Sequence, residues 1–291
     1  MTDAEENMKT KKIKFKFSWL AAYVFLIILT ILMLYPILYV VLGSFKTNQE
    51  LVMGGARLLP EVFILNNYIE AWELANFARY TLNSIFISSM VMIGILILSS
   101  MSGYCFARRD FPLKNFIYGM LIAFMFVNIG SVSLRPLFEL SIRFNLHTSL
   151  WAVILISIGT AQATNIFLVR GYMNTLPKEL DEAAAIDGCS FFGIYYRIIL
   201  PLLKPVLATI ALLSFRGAWN EYILPLVFTI NNPDKRPLTV GVISLKNVSD
   251  GAAAWNIMFA GSTMSIVPII ILFLLTSRYF MSGMTVGAVK G

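Results

Sequence analysis

EAAAIDGCSFFGIYYRIILP, residues 182–201, carries its own charges, caps and turn between two long apolar runs of a 291-residue chain. Just ahead of it, Pro177 suits a first helical turn, where a missing N–H costs nothing. Glu179, Asp181 and Glu182 follow near the positive end of that helix, where each negative charge contributes about 0.3–1 kcal/mol. Ala183, Ala184 and Ala185 are strong helix formers with almost no side chain, so another surface can approach the backbone closely. Gly188 is placed to end the helix in a left-handed cap. A second helix is expected from Ser190 to Leu200, stopping at Pro201 and feeding the next apolar run. The expected product is two short helices joined by a glycine elbow. A solvated surface hairpin with no partner has the same local chemistry.

Outward from the hairpin the chain reads as membrane. It is 58% hydrophobic and 13% charged, with a mean hydropathy of +0.74, whereas soluble domains carry about a quarter charged residues. Six apolar runs are long enough to cross, or nearly cross, a hydrocarbon layer of roughly 30 Å. They lie at 18–44, 81–107, 115–134, 148–169, 205–228 and 251–277. The fold class expected is therefore all-α, with six transmembrane helices and the hairpin between spans four and five. Open β-structure is excluded at this depth, because unpaired backbone groups cannot face lipid. Trp19 and Tyr23 read as interfacial anchors at the start of span one, and Pro36 as a kink. A signal peptide is set aside: the first apolar core is too long and no small-residue cleavage site ends it. Residues 45–80 form a mixed polar segment, a small extramembrane subdomain or a pair of short helices.

The cations set the orientation. With the N-terminus inside, inner segments hold 14 Lys and Arg against 8 on outer ones, the positive-inside asymmetry. This accounts for the net charge of +7 without a nucleic-acid partner. Both termini and the loop 171–204 are then cytoplasmic, giving a tail at 1–17, a first helix with an extracellular segment at 18–80, a transmembrane core at 81–280 and a tail at 281–291. Cys105 and Cys189 fall at the inner face without metal spacing, and the one histidine, His147, has no Cys, Glu or Asp at ligand spacing, so no metal site is expected.

Glu182-Ala183-Ala184, three residues, Gly188, nine residues, Ile198, one residue and Leu200-Pro201 resemble the EAA motif of ABC importer permeases. Ser102-Gly103-Tyr104 with Phe106-Ala107-Arg108, Trp219-Asn220-Glu221 followed by Pro225, and the ending Gly287-Ala288-Val289-Lys290-Gly291 resemble the carbohydrate-uptake branch, specifically the shorter six-span subunit of maltose-type importers. The likeness runs from about Tyr80 to the C-terminus; the N-terminal third matches in outline. It implies a non-catalytic subunit of a bacterial cell membrane, paired with a second, homologous permease and fed with carbohydrate by an extracellular solute-binding protein. It also implies an ATPase dimer seated on Glu182, Ala183, Ala184, Asp187 and Gly188 as a coupling helix, with Gly287, Ala288, Val289, Lys290 and Gly291 reaching toward it. No Gly-x-x-x-x-Gly-Lys-Ser/Thr loop occurs, so ATP and Mg are expected in the partner and no cofactor in this chain.

Polar residues at membrane depth point by default to a pathway or an internal pair. Arg216 and Asn220 fall on one helical face, with Glu221 turned about 100° away; Trp219 lies between them. A pathway and an anchor for the partner permease are both open readings. Arg135 and Glu139 form an i, i+4 pair where the family usually has apolar residues, which ties them to a particular substrate or to the helix surface. Gln162, Thr164 and Asn165 can hydrogen-bond a sugar or a neighbouring helix. An ion-coupled secondary transporter is the alternative class, though no internal repeat supports it. An intramembrane enzyme would need a converging nucleophile, metal set or carboxylate pair.

Overall fold

In a computed structural model of the protein, residues 2–54, 57–127, 130–247 and 253–288 are described. Among them the chain is helical, with no strand. The helices are α1 (Thr2–Gly43), α2 (Asn48–Met53), α3 (Asn66–Leu74), α4 (Phe77–Arg108), α5 (Lys114–Phe126), α6 (Leu134–Arg143) and α7 (Leu150–Met173). They continue as α8 (Glu179–Ile186), α9 (Phe191–Ile194), α10 (Leu200–Leu202), α11 (Lys204–Asn220), α12 (Ile223–Thr229), α13 (Leu238–Ser244) and α14 (Trp255–Ala288). The chain divides into two units, Met1–Ala71 with Leu245–Met264, and Trp72–Ser244 with Ser265–Gly291.

In the first unit, α1 is apolar all round from Trp19 onward and exposed as far as Leu38, with residues 39–42 half-buried and Gly43 buried. A helix of that kind is built for lipid or a partner helix. It runs on through Pro36. The polar segment after it forms the expected short helices, stitched down by buried amides and a buried cation. Lys46 Nζ donates to the Arg57 carbonyl at 2.6 Å and pairs with Glu50 at 3.3 Å. Asn67 donates to the Ser44 and Lys46 carbonyls and accepts from Asn256 at the start of α14. Asn48 Oδ1 accepts the N–H of Trp255 at 3.0 Å, satisfying one of the donors a helix start leaves open.

The second unit is organised by α4, which packs against α7, α11 and α13. The face of α4 is small and hydroxylated where helices come closest. A Cβ at Gly94 would lie 2.3 Å from Ile158 Cδ1, and one at Gly103 would lie 2.5 Å from Val169 Cγ1. Small residues allow such approach where apolar attraction between helices is weak, as in lipid. Ser84 Oγ accepts the N–H of Leu238 at 2.8 Å, fixing the start of α13 against α4. Ile87, Val91 and Ile95 of α4 meet Val153, Ile154 and Val169 of α7 in the core.

Three of the six expected crossings stand as single helices long and apolar enough to span: Trp19–Gly43, Phe77–Arg108 and Leu150–Met173. The others are modified. The run at 115–134 stops at Phe126, and α5, with 13 residues, measures about 20 Å; a short 3-10 turn, Gly130–Ser133, then leads into α6. The run at 205–228 breaks after Asn220. Glu221 is extended, its carboxylate accepts the N–H of Leu224 at 3.3 Å, and its carbonyl accepts from Thr239 at 2.9 Å. Those bonds satisfy the groups that a break at membrane depth frees. The last apolar stretch is Trp255–Ile271 within α14.

The close approach of α4 and α7 makes a specific demand. Gly103→Leu is expected to cost about 1–3 kcal/mol by overpacking, seen as a lower unfolding temperature in detergent. Gly159→Ala, on α7 where a Cβ meets nothing within 4 Å, is expected to leave that temperature unchanged or slightly raised.

Candidate functional site

The hairpin forms as a short helix, an elbow and a second helix. α8 has Glu179, Asp181 and Glu182 in its first turn, as the charge pattern predicts. Pro177 falls two residues before the first helical residue rather than within the turn, with Lys178 as N-cap. Gly188 has φ +81°. Its N–H bonds to the Ala185 carbonyl at 3.1 Å, and the Cys189 N–H reaches back to Ala184 at 3.0 Å. That pair of bonds is the Schellman arrangement, which rewards glycine in the left-handed position. Ser190 then caps α9, accepting the Gly193 N–H at 3.2 Å.

The second helix does not stop at Pro201. Tyr195–Ile199 is wound as a π-helix, with the Leu200 N–H bonded five residues back to Tyr195, and the helical path continues through Pro201 to Leu202. The ladder is already shifted where the proline's missing N–H falls, so the ring is tolerated. The direction changes instead at Leu203, where Phe191–Leu202 and Lys204–Asn220 meet at 75°.

The hairpin is tied to the end of α4. Arg108 Nε donates to Asp181 at 2.9 Å, and the same guanidinium donates to the Leu176 carbonyl at 2.9 Å; both side chains are largely buried. Tyr104 OH donates to the other Asp181 oxygen at 3.3 Å. The Tyr104 ring stacks on Phe191 with centroids 4.7 Å apart and touches Tyr195, whose hydroxyl meets Ser100 at 2.8 Å. Arg109 lies over the opposite partner of that stack, 4.2 Å from the Phe191 centroid. One side chain each from three helical turns of α4 therefore grips both arms. Nearby, the hydrogen bond and charge of Lys114 hold the Asp110 carboxyl below the usual carboxylate range.

While Asp181 and Ala184 are held inward, Glu182, Ala183, Ile186 and Asp187 are exposed, Ile186 to 86%. Of the sequence-predicted tail, Gly287 and Ala288 end α14; Val289, Lys290 and Gly291 lie outside the described residues.

The expected pathway residues separate. A cavity of about 460 Å³ lies between α4, α6, α7, α11 and α12, and Asn165 and Glu221 line it. Gln162 does not; its amide nitrogen and oxygen are buried without a partner among the described residues. Trp219 is buried and stacked on Phe215, centroids 5.9 Å apart, while Arg216 and Asn220 are exposed and outside the cavity. The helical-wheel relation of Glu221 to Arg216 does not hold, because the helix ends at Asn220. Arg135 and Glu139 pair at 3.2 Å on the open surface of α6, away from the cavity. Sequence reading missed the grip of Tyr104, Arg108 and Phe191 on the hairpin. The Tyr104 and Arg108 motif carried the signal, but nothing in its spacing names a partner some seventy residues on.

The family model described as the binding-protein-dependent transport system inner membrane component matches residues 95–284. The chain is 37% identical over 277 residues to the arabinooligosaccharides transport system permease protein of Halalkalibacterium halodurans, covering 94% of this chain and 97% of that one. It is 30% identical over 275 residues to the galactooligosaccharides transport system permease protein of Bacillus subtilis, covering 94% and 95%. Among solved structures, a chain of a bacterial ABC transporter involved in the import of the acidic polysaccharide alginate has the same fold, with a TM-score of 0.78 and 24% identity over 91% of this chain and 97% of that one.

Removing the clamp tests its role. Arg108→Ala leaves Asp181 and the Leu176 carbonyl without their donor, a loss on the order of 1–3 kcal/mol for bonds to a charged group. Backbone amides of α8 and α9 are expected to exchange about 5- to 150-fold faster by hydrogen–deuterium exchange. Arg108→Lys recovers part of the protection, since one ammonium cannot serve the carboxylate and the carbonyl in the same fork.

Proposed function

The chain belongs to the family of binding-protein-dependent transport system inner membrane components, and from that premise we propose that it is the shorter permease of a pair importing an oligosaccharide across a bacterial cell membrane. As a family member it works with a separate ATPase and a solute-binding protein. Its oligosaccharide cargo is supported by the relatives, whose substrates are arabino- and galactooligosaccharides. The second subunit is a homologous permease, and the apolar α1, exposed as far as Leu38, supports a helix made for such company or for lipid. Both termini are cytoplasmic on this reading, supported by the 14-to-8 bias of cations toward the inner segments. So is the six-crossing count, with spans three and five interrupted.

The observation that carries the mechanism is the clamped hairpin with Ile186 projecting from it. Glu182, Ala183, Ala184, Asp187 and Gly188 form the coupling helix on which one ATPase subunit sits. Ile186 enters an apolar recess of that partner, and Glu182 and Asp187 meet its polar rim. The tail Gly287, Ala288, Val289, Lys290 and Gly291 extends toward the same partner. ATP and Mg are held there, and this chain supplies no cofactor site. When the ATPase subunits close, they displace α8 as a rigid body. The Schellman elbow prevents the hairpin from absorbing the motion by hinging, and the Tyr104–Arg108 clamp passes it to α4. The 75° corner at Leu203 delivers it to α11 and hence to Glu221. Glu221 and Asn165 lie on the substrate side of this path; Arg135, Glu139, Gln162, Arg216, Trp219 and Asn220 serve the scaffold or the partner interface.

Gly188→Pro tests the elbow. Proline holds φ near −65° where the native value is +81°, and it removes the N–H bonded to Ala185, a local cost of about 3 kcal/mol. In proteoliposomes carrying the assembled transporter, the variant is expected to insert and assemble, yet lose the stimulation of ATP hydrolysis by loaded binding protein and the uptake it drives. Normal uptake by Gly188→Pro would remove the elbow from the mechanism. Uptake driven by an ion gradient without the ATPase would overturn the importer reading itself.

A further inference from the structure

The polar side chains lining the 460 Å³ cavity are hydroxyls, one amide and one carboxylate, with no cation among them. Thr160 donates its hydroxyl proton to the Ile156 carbonyl at 3.0 Å, Ser214 to Ile210 at 2.5 Å and Ser133 to Gly130 at 2.8 Å. Asn165 spends an amide proton on the Ala161 carbonyl at 2.8 Å. A hydroxyl whose proton is committed to its own helix offers only lone pairs to the space it faces. Glu221 uses one carboxylate oxygen on the Leu224 N–H, leaving the other as a further acceptor. No Lys, Arg or His is among the described residues lining the cavity. Nor is there an aromatic ring there to stack on a sugar, so the wall suits passage rather than tight capture.

We propose that this wall is a charge filter that admits neutral oligosaccharides and rejects uronate-bearing ones, with Glu221 as the residue that sets the discrimination. This rests on the oligosaccharide reading above. A neutral sugar presents many O–H donors, each of which finds an acceptor on the wall. A uronate carboxylate brings a second negative charge beside Glu221, at a membrane depth where water screens poorly, with no cation and only the neutral donors of Ser157, Thr164 and Asn165 to receive it. The fold is shared with a chain of an alginate importer, so the difference in cargo charge is decided by side chains on a common frame.

The test uses the assembled transporter in nanodiscs with the binding protein omitted, so that the binding protein's own selection does not enter. Saturation-transfer NMR compares a neutral trisaccharide panel, of glucose, galactose and arabinose units, with trigalacturonate. The native transporter is expected to give signal with neutral sugars and little with trigalacturonate. Glu221→Gln keeps an oxygen for the Leu224 N–H, and is expected to raise the trigalacturonate-to-neutral ratio by about tenfold. Asn165→Lys, which leaves the α12 cap untouched, is expected to move the ratio the same way. A native transporter that binds trigalacturonate as well as the neutral panel overturns the filter, and so does an unchanged ratio in both variants. ATP-driven uptake of neutral oligosaccharide by the native transporter, with its binding protein, is measured alongside. If that uptake stands while the ratio does not move, the filter alone fails; if no oligosaccharide is carried, the oligosaccharide reading fails.

Discussion

The ion pair between Arg108 and Asp181 is what ties the hairpin to α4. The guanidinium is nearly buried, donates to the carboxylate and to the Leu176 carbonyl together, and sits at the last turn of α4. A charge taken out of water in this way is tolerable only when paired and hydrogen-bonded on all sides. Tyr104 and Phe191 complete the arrangement by covering the pair with stacked rings. With the first arm fixed by charge and the second by stacking, only the outer edge of α8 is left free. Ile186 stands on that edge.

The clamp would have nothing firm to hold if α4 itself could slide. Gly94 and Gly103 remove that freedom by letting α7 come so close that a single added carbon would collide with Ile158 or Val169. Since α7 leads into the hairpin and α4 grips it, the two helices and α8 behave as one body on physical grounds. The direction changes beyond this body, at the π-wound turn Tyr195–Ile199 and the buried corner at Leu203. The polar cavity lies beyond that corner, between the rigid pair and α11.

Much of the fold was legible because the bilayer writes itself into sequence. Uninterrupted apolar runs marked α1, α4 and α7, and the elbow at Gly188 followed from helix-cap chemistry that acts within a few residues. The breaks were harder to see. The run at 205–228 holds Pro225, which has no N–H for the Glu221 carbonyl four residues back and whose ring crowds it, and Thr239, 18 residues on, supplies the missing donor at 2.9 Å. Pro201 looked like a stop but is carried through, because a π-turn upstream had already shifted the hydrogen bonds. Among the polar residues of the core, side-chain type did not distinguish Glu221, which faces the cavity, from Arg216, which does not.

By itself, the sequence determined the class of fold, the family, and a capped hairpin, since these depend on hydropathy, local propensity and a motif contained in some twenty residues. Only the tertiary structure decided what the hairpin is held by, where the long helices break, and which polar groups share a cavity. The hold on the hairpin rests on contacts between residues seventy or more positions apart, such as Arg108 with Asp181 and Ser100 with Tyr195, and the cavity on helices brought together from separate stretches of the chain. No local pattern encodes such a meeting. It follows from how closely two helices can approach, and that is settled by packing.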